Sequence, residues 1–173
     1  MDFSLTTLDC NSRVDASKST SSYVIEESQL QFDVKDKVGE GGNATVYVGV
    51  YGGNQVAIKQ VKMDNPGLPR NARLIINEAK ELLNLDHPNV VKCYGVCTSK
   101  GILVLEFAKK MVTVDGTQYA VHSLRQLLDT LEDSFPLKLK HHALLQIASG
   151  LEYLKSKRVN HTFTVFYVSV LLK

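Results

Sequence analysis

The chain is short of cysteine, of charge of either sign in excess, and of long apolar runs, and each shortage excludes a class of protein. Its three cysteines, Cys10, Cys93 and Cys97, are odd in number and form no paired metal-ligand pattern. That argues against a disulfide framework or a zinc module and for a reduced, cytosolic setting. Cys93 and Cys97 read as buried small apolar residues. With 20 basic and 18 acidic side chains the net charge is +2, too balanced to indicate a nucleic-acid or anionic-membrane partner. No apolar stretch reaches the roughly 20 residues that span a bilayer, and the most apolar one, Phe163 to Leu172, is too short. The opening Met1-Asp2-Phe3-Ser4 lacks the basic segment and apolar run of a secretory signal. A soluble, cytoplasmic chain with no membrane span is therefore expected.

What is present is an ordinary globular composition, 44% hydrophobic and 22% charged over 173 residues, enough for one domain or part of one. Residues 1–28 are rich in Ser and Thr, without hydrophobic periodicity, and read as a disordered leader. From Phe32 the pattern turns to short β-rich runs punctuated by glycine. Strands are predicted over Phe32–Val38, Ala44–Tyr51 and Gln55–Val61, with Gly52-Gly53-Asn54 as hairpin-turn chemistry between the last two. A polar loop with Pro66-Gly67 and Pro69 follows, then a helix from Asn71 to Leu85. Two more strands are predicted over Val90–Cys97 and Gly101–Phe107. Met111 to Val121, with Asp115-Gly116 as a two-residue turn, reads as a small hairpin. The last helix spans Leu137 to Ser156, with Pro136 suited to its first turn. Its Leu144, Ile147, Ala148, Leu151 and Leu154 recur at the helical period. His141 and His142 are expected to be solvated, and His87 to be a structural turn residue.

Three constellations carry chemistry. The first is Val38-Gly39-Glu40-Gly41-Gly42-Asn43-Ala44-Thr45-Val46, between two strands. Glycines let a backbone approach a polyphosphate and aim N–H groups at it, although a plain hairpin turn has the same look. The second is Val56-Ala57-Ile58-Lys59, where Lys59 shares its strand face with apolar Ala57 and Val61. An ammonium there needs anions, such as phosphate oxygens and one carboxylate. The third is Glu78, within the stripe of Ile75, Ala79 and Leu82. That carboxylate needs a cation, and Lys59 is the obvious one; Glu81 serves as the surface comparison.

In this order and spacing the series resembles the amino-terminal lobe of the protein kinase family, closest to its tyrosine-kinase-like group. The family's G-x-G-x-x-G-x-V loop matches Gly39, Gly41, Ala44 and Val46, with alanine for the third glycine. V-A-I-K is matched letter for letter, and His87-Pro88-Asn89-Val90 is similar to the family's H-P-N-I segment. Leu103 to Ala108 resembles the hinge between lobes, and Ile147 to Leu154 the helix leading to the catalytic loop. The resemblance runs from about residue 32 to 161. It implies an α+β fold: a five-stranded antiparallel sheet with one major helix, then a helical fragment of a second lobe. The implied segments are 29–108 for lobe and hinge, 109–122 for a hinge insertion, 123–161 for partial carboxy-terminal-lobe helices, and 162–173 for a divergent apolar tail.

The same resemblance implies ATP as the ligand. Lys59 would contact the α- and β-phosphates, Glu78 would orient it, and the loop Gly39, Glu40, Gly41, Gly42, Asn43, Ala44 would cover the phosphates. Val38, Val46 and Ala57 would wall the base, with Leu105 as gatekeeper and the backbones of Glu106 and Ala108 bonding adenine. Other kinase-domain or signalling proteins are candidate partners. After His161, where the family has H-R-D, the sequence reads Thr162-Phe163, and neither the magnesium-binding asparagine nor the D-F-G aspartate has a counterpart. Loss of a general base alone costs about 10² to 10⁴ in rate, and loss of both metal ligands matters more. Magnesium is thus only weakly expected, and autonomous catalysis is not. The reaction, leaning to Ser/Thr, would need the missing half. An interaction module without catalysis and a non-functional truncation product are the rival readings. The abrupt break suggests that residues 162–173 come from an alternative exon, a retained intron or a mistaken gene model.

Overall fold

The computed structural model describes residues 23–42, 44–62, 69–114, 116–131 and 136–159. The chain divides into two compact units. Among the described residues one holds 23–86 and 91–107, the other 87–90 and 108–159.

The first unit is built on a five-stranded antiparallel sheet of order β1-β2-β3-β5-β4. Its strands are β1 (Leu30–Glu40), β2 (Ala44–Tyr51), β3 (Asn54–Val61), β4 (Cys93–Cys97) and β5 (Ile102–Glu106), with helix α1 (Pro69–Leu83) between β3 and β4. The β2–β3 turn is Gly52-Gly53 alone, at φ 55° and 78°, the paired positive values that a two-residue hairpin needs and that glycine adopts freely. Asn54 pairs with Tyr51 rather than lying in the turn, so β3 begins one residue earlier than predicted. Proline opens α1, where its missing N–H is harmless; the polar loop expected through Pro69 ends sooner, and Pro66 and Gly67 lie outside the described residues.

One face of the sheet buries Ile25, Leu30, Val56, Ile58, Cys97, Ile102 and Val104, with Phe32, Tyr47 and Tyr51 packed against them. The other supports α1, which lies on β4 and β5 and buries Ile75, Ala79 and Leu82. Each fully buried Val, Ile or Leu side chain among them contributes about 1.5–3 kcal/mol by leaving water.

The expected leader is shorter at its described end. Val24 bridges Val96, Ile25 N–H donates to Val96 O, and Val96 N–H donates to Tyr23 O. Ile25, only 2% exposed, anchors a segment too brief to show periodicity. Residues 1–22, most of the leader, are outside the described residues.

The second unit contains the hairpin β6 (Lys110–Val114) and β7 (Thr117–Val121), then α2 (Leu124–Leu131) and α3 (Leu137–Ser156). The hairpin is more than surface decoration. Val112 and Val121 are buried with Leu127, Leu131 and Ala143 in one cluster. Ser123 Oγ accepts the Gln126 N–H at 3.1 Å, capping α2,. The Gln126 side chain reaches back to the His122 N–H (2.9 Å) and the Ala120 carbonyl (3.3 Å), tying hairpin to helix.

On α3 the apolar stripe divides. Ala143, Gly150 and Leu154 are buried, whereas Leu144 and Leu151 are exposed. Residues seven and four apart define the inward line, and Leu144 lies a full 100° round from Ala143. Pro136 stands at the N-cap, at φ −62° and ψ 138°, just outside the first turn. His141 and His142 are exposed, as expected. The carboxy-terminal segment 162–173 is outside the described residues, as is His161. No helix among the described residues is long and apolar enough to cross a membrane.

Candidate functional site

Strand register puts the chemistry on one face. Val46 pairs with Lys59 and Lys59 with Leu103, while Ala57 pairs with Leu105. Cross-strand partners point the same way, as do residues two apart, so these five share the face that carries α1. There Lys59 Nζ donates to Glu78 Oε1 at 2.6 Å, with the side chains only 19% and 10% exposed. Glu78 occurs on α1 beside buried Ala79 and one turn from Ile75 and Leu82. The bond is short and charge-assisted, and it spans strand and helix. Glu81 is half-buried rather than superficial, and its Oε2 is buried without a hydrogen-bond partner.

The loop glycines have no internal reason to be glycine. A Cβ on Gly39 would come no closer than 3.8 Å to Val46 Cβ, one on Gly41 would lie 3.8 Å from Ala44 O, and one on Gly42 would meet nothing within 4 Å. None of the three has a positive φ. Gly49 is the contrast: a Cβ there would lie 2.7 Å from Ile58 Cγ1 and 2.9 Å from Gln31 O. The fold requires glycine at 49 and leaves 39, 41 and 42 bare. The Gly41 N–H closes the turn on Ala44 O at 2.8 Å, and Asn43 lies outside the described residues.

Glu40 lies between two cations, Lys37 Nζ at 2.8 Å and Lys62 Nζ at 2.6 Å. Their bonds and charges hold its carboxyl at about 2. Sequence reasoning missed both lysines; the Lys62 pairing crosses β2 and is visible only once the register is known. Val38, at the shift in register between Lys37 and Gly39, is 44% exposed.

Leu105 is buried. At Glu106 the N–H donates to Lys92 O at 2.8 Å and the carboxylate accepts the Lys92 N–H at 3.1 Å. Ala108 falls in the second unit, its carbonyl 3.4 Å from His122 Nδ1. Cys93 is buried near Glu78, and burial pushes its thiol up to about 12, so it is a poor nucleophile. His87, expected as a turn residue, does more: its Nδ1 accepts the Asn89 N–H at 3.1 Å and its ring stacks on Tyr153 at 4.8 Å. Among the described residues no cluster of three or more His, Cys, Asp or Glu is placed to hold a metal ion.

Residues 32–164 match the family described as protein tyrosine and serine/threonine kinase. The chain belongs to the protein kinase family. A probable serine/threonine-protein kinase of Arabidopsis thaliana is 33% identical over 132 residues, covering 75% of this chain and 22% of that protein. A tyrosine protein-kinase of Caenorhabditis elegans is 31% identical over 133 residues, 76% of this chain and 22% of the relative. The transforming tyrosine-protein kinase of avian retrovirus RPL30 is 34% identical over 110 residues, 62% of this chain and 24% of the relative. The chain thus spans less than a quarter of the length of these kinases. Its five-stranded sheet with α1 is a kinase amino-terminal lobe, and α2 and α3 are part of a carboxy-terminal lobe.

Proposed function

We propose that this chain is the ATP-binding part of a protein kinase and does not transfer phosphoryl groups by itself. The observation that carries the reading is the Lys59–Glu78 bond at 2.6 Å, on the sheet face shared by Val46, Ala57 and Leu105. An ammonium fixed there by a carboxylate sets a positive charge where water is scarce, which suits an anionic ligand. The bare edge of Gly39, Gly41 and Gly42 fits the same ligand, since a polyphosphate can approach closely a backbone that no Cβ shields,.

On this reading Lys59 binds the α- and β-phosphates, Glu78 holds Lys59 in place, and the glycine loop covers the phosphates. Val38, Val46 and Ala57 contact the base and Leu105 limits the room behind it. Glu106 already donates its N–H to Lys92, so adenine recognition at this residue falls to its carbonyl. When bound, ATP supplies the γ-phosphoryl group for transfer to a protein hydroxyl. Phe163 stands where the family has its proton-accepting aspartate, which is why the transfer itself is assigned to an intact relative or a longer form. The relatives include both tyrosine and serine/threonine kinases.

The test is thermal unfolding of the 173-residue chain with and without Mg-ATP, beside Lys59→Ala. Ligand at 100 times its dissociation constant should add roughly 2.7 kcal/mol, and Lys59→Ala should shrink that increment. A cooperative transition that ATP leaves unmoved would refute nucleotide binding and favour an interaction module.

A further inference from the structure

We propose that Glu40 is a positioning residue that straps the glycine loop to the end of β3. Its two carboxylate oxygens are divided between two lysines, Oε2 accepting from Lys37 Nζ at 2.8 Å and Oε1 from Lys62 Nζ at 2.6 Å. Lys37 precedes the loop on β1, and Lys62 follows the last residue of β3. The carboxylate therefore reaches across β2, the strand between them in the sheet.

Register fixes the direction of this strap. Glu40 pairs with Thr45 and Thr45 with Gln60, whereas Gly39 pairs with Val46 and Val46 with Lys59. Glu40, Thr45, Gln60 and Lys62 therefore line one face, and Lys59 points from the other. An acidic side chain inside a loop read as covering phosphates would repel them from the Lys59 side. Here it is turned away and neutralised by two cations, which leaves the cluster net positive.

The loop needs such a tie. β1 slips register twice on its way in, between Phe32 and Lys37 and between Lys37 and Gly39, and the glycines contribute no side-chain packing. Ala44, Thr45 and Val46 pair with Val61, Gln60 and Lys59 along the backbone, and the strap adds a side-chain tie from the β1 side of the loop to the end of β3, the strand that carries Lys59. The lysines lower the carboxyl from its ordinary 4.5 to about 2, so the pairing persists into acid.

The inference builds on the nucleotide reading but is measured separately. Amide hydrogen exchange of the nucleotide-free full chain should show residues 37–46 exchanging about two- to five-fold faster in Glu40→Gln and in Lys62→Ala, with 93–106 unchanged. The double variant should exchange no faster than either single one, and Lys62→Arg should restore protection. In calorimetric titration with Mg-ATP, Glu40→Gln should weaken binding by a similar factor, and the parent's affinity should fall toward it in high salt, where exposed pairs are screened. Unchanged exchange at 37–46, or additive effects of the two substitutions, overturns the strap whatever ATP does. Altered exchange in a parent that binds no ATP upholds the strap and refutes the nucleotide reading.

Discussion

Replacing Lys59 with Met and Glu78 with Gln, singly and together, measures how far the fold depends on the pair at its centre. The 2.6 Å bond joins side chains 19% and 10% exposed. Hydrogen bonds involving charged groups are worth about 1.5–3 kcal/mol, and breaking one side of a fully buried pair costs about 3–5 kcal/mol because a charge is stranded. Residual exposure of Lys59 places this pair near the lower range, so each single substitution should cost about 2 kcal/mol. In the double variant no carboxylate is left without its ammonium, and the total should stay near 2 rather than 4, a coupling of about 2 kcal/mol. With a urea slope of about 2 kcal/mol/M, each variant's midpoint should fall by about 1 M, a shift that circular dichroism resolves. Costs that add within about 0.5 kcal/mol would show that the two side chains stabilise the fold independently and would refute the reasoning.

The glycines give a paired test by thermal unfolding. Gly49→Ala should cost about 1–3 kcal/mol from its clash with Ile58 and the Gln31 carbonyl,, while Gly41→Ala should stay within about 0.5 kcal/mol. Cys93 stays protonated in the fold up to about 12 but ionises near 9 once unfolded. The unfolded state then holds fewer protons between those values, so stability should fall as pH rises there, by up to about 1.4 kcal/mol per unit. Denaturation at pH 8, 9 and 10 should show that part of the slope vanishing in Cys93→Val; equal slopes would count against a buried thiol. Ser123→Ala should destabilise α2 by about 1 kcal/mol through loss of its bond to the Gln126 N–H,, seen as faster amide exchange over 124–131 with α1 unaffected.

Much of the sheet was legible because strands announce themselves by alternation and turns by glycine. Ala44–Tyr51 and Leu137–Ser156 were read with their observed bounds, and the Asp115-Gly116 turn located the second hairpin. Lys59 and Glu78 were legible as a pair because each is a charge set among apolar neighbours, a conflict that only a partner resolves. What stayed hidden depends on tertiary register. Ile25 is one buried side chain in a polar stretch, the partition of α3 needs to know which line of its surface meets Val112 and Leu127, and Glu40 meets Lys62 only by crossing β2. Helix α2, eight residues long, was too short for its own period to stand out and was implied only by the resemblance, within 123–161.

The strand order also bears on how quickly the first unit assembles. β1, β2 and β3 follow one another as a meander, and β4 and β5 form a hairpin of their own, so nearly all the pairing is between neighbours in the chain. One seam is different: Val56 meets Glu106 and Ile58 meets Val104, partners about 50 residues apart whose meeting requires closing a loop around α1. Contacts of that range are the slow ones in folding. Substitutions along this seam should therefore act mainly on the rate at which two preformed sub-sheets join, and the Lys59–Glu78 bond, anchored beside the seam, is made only once they have.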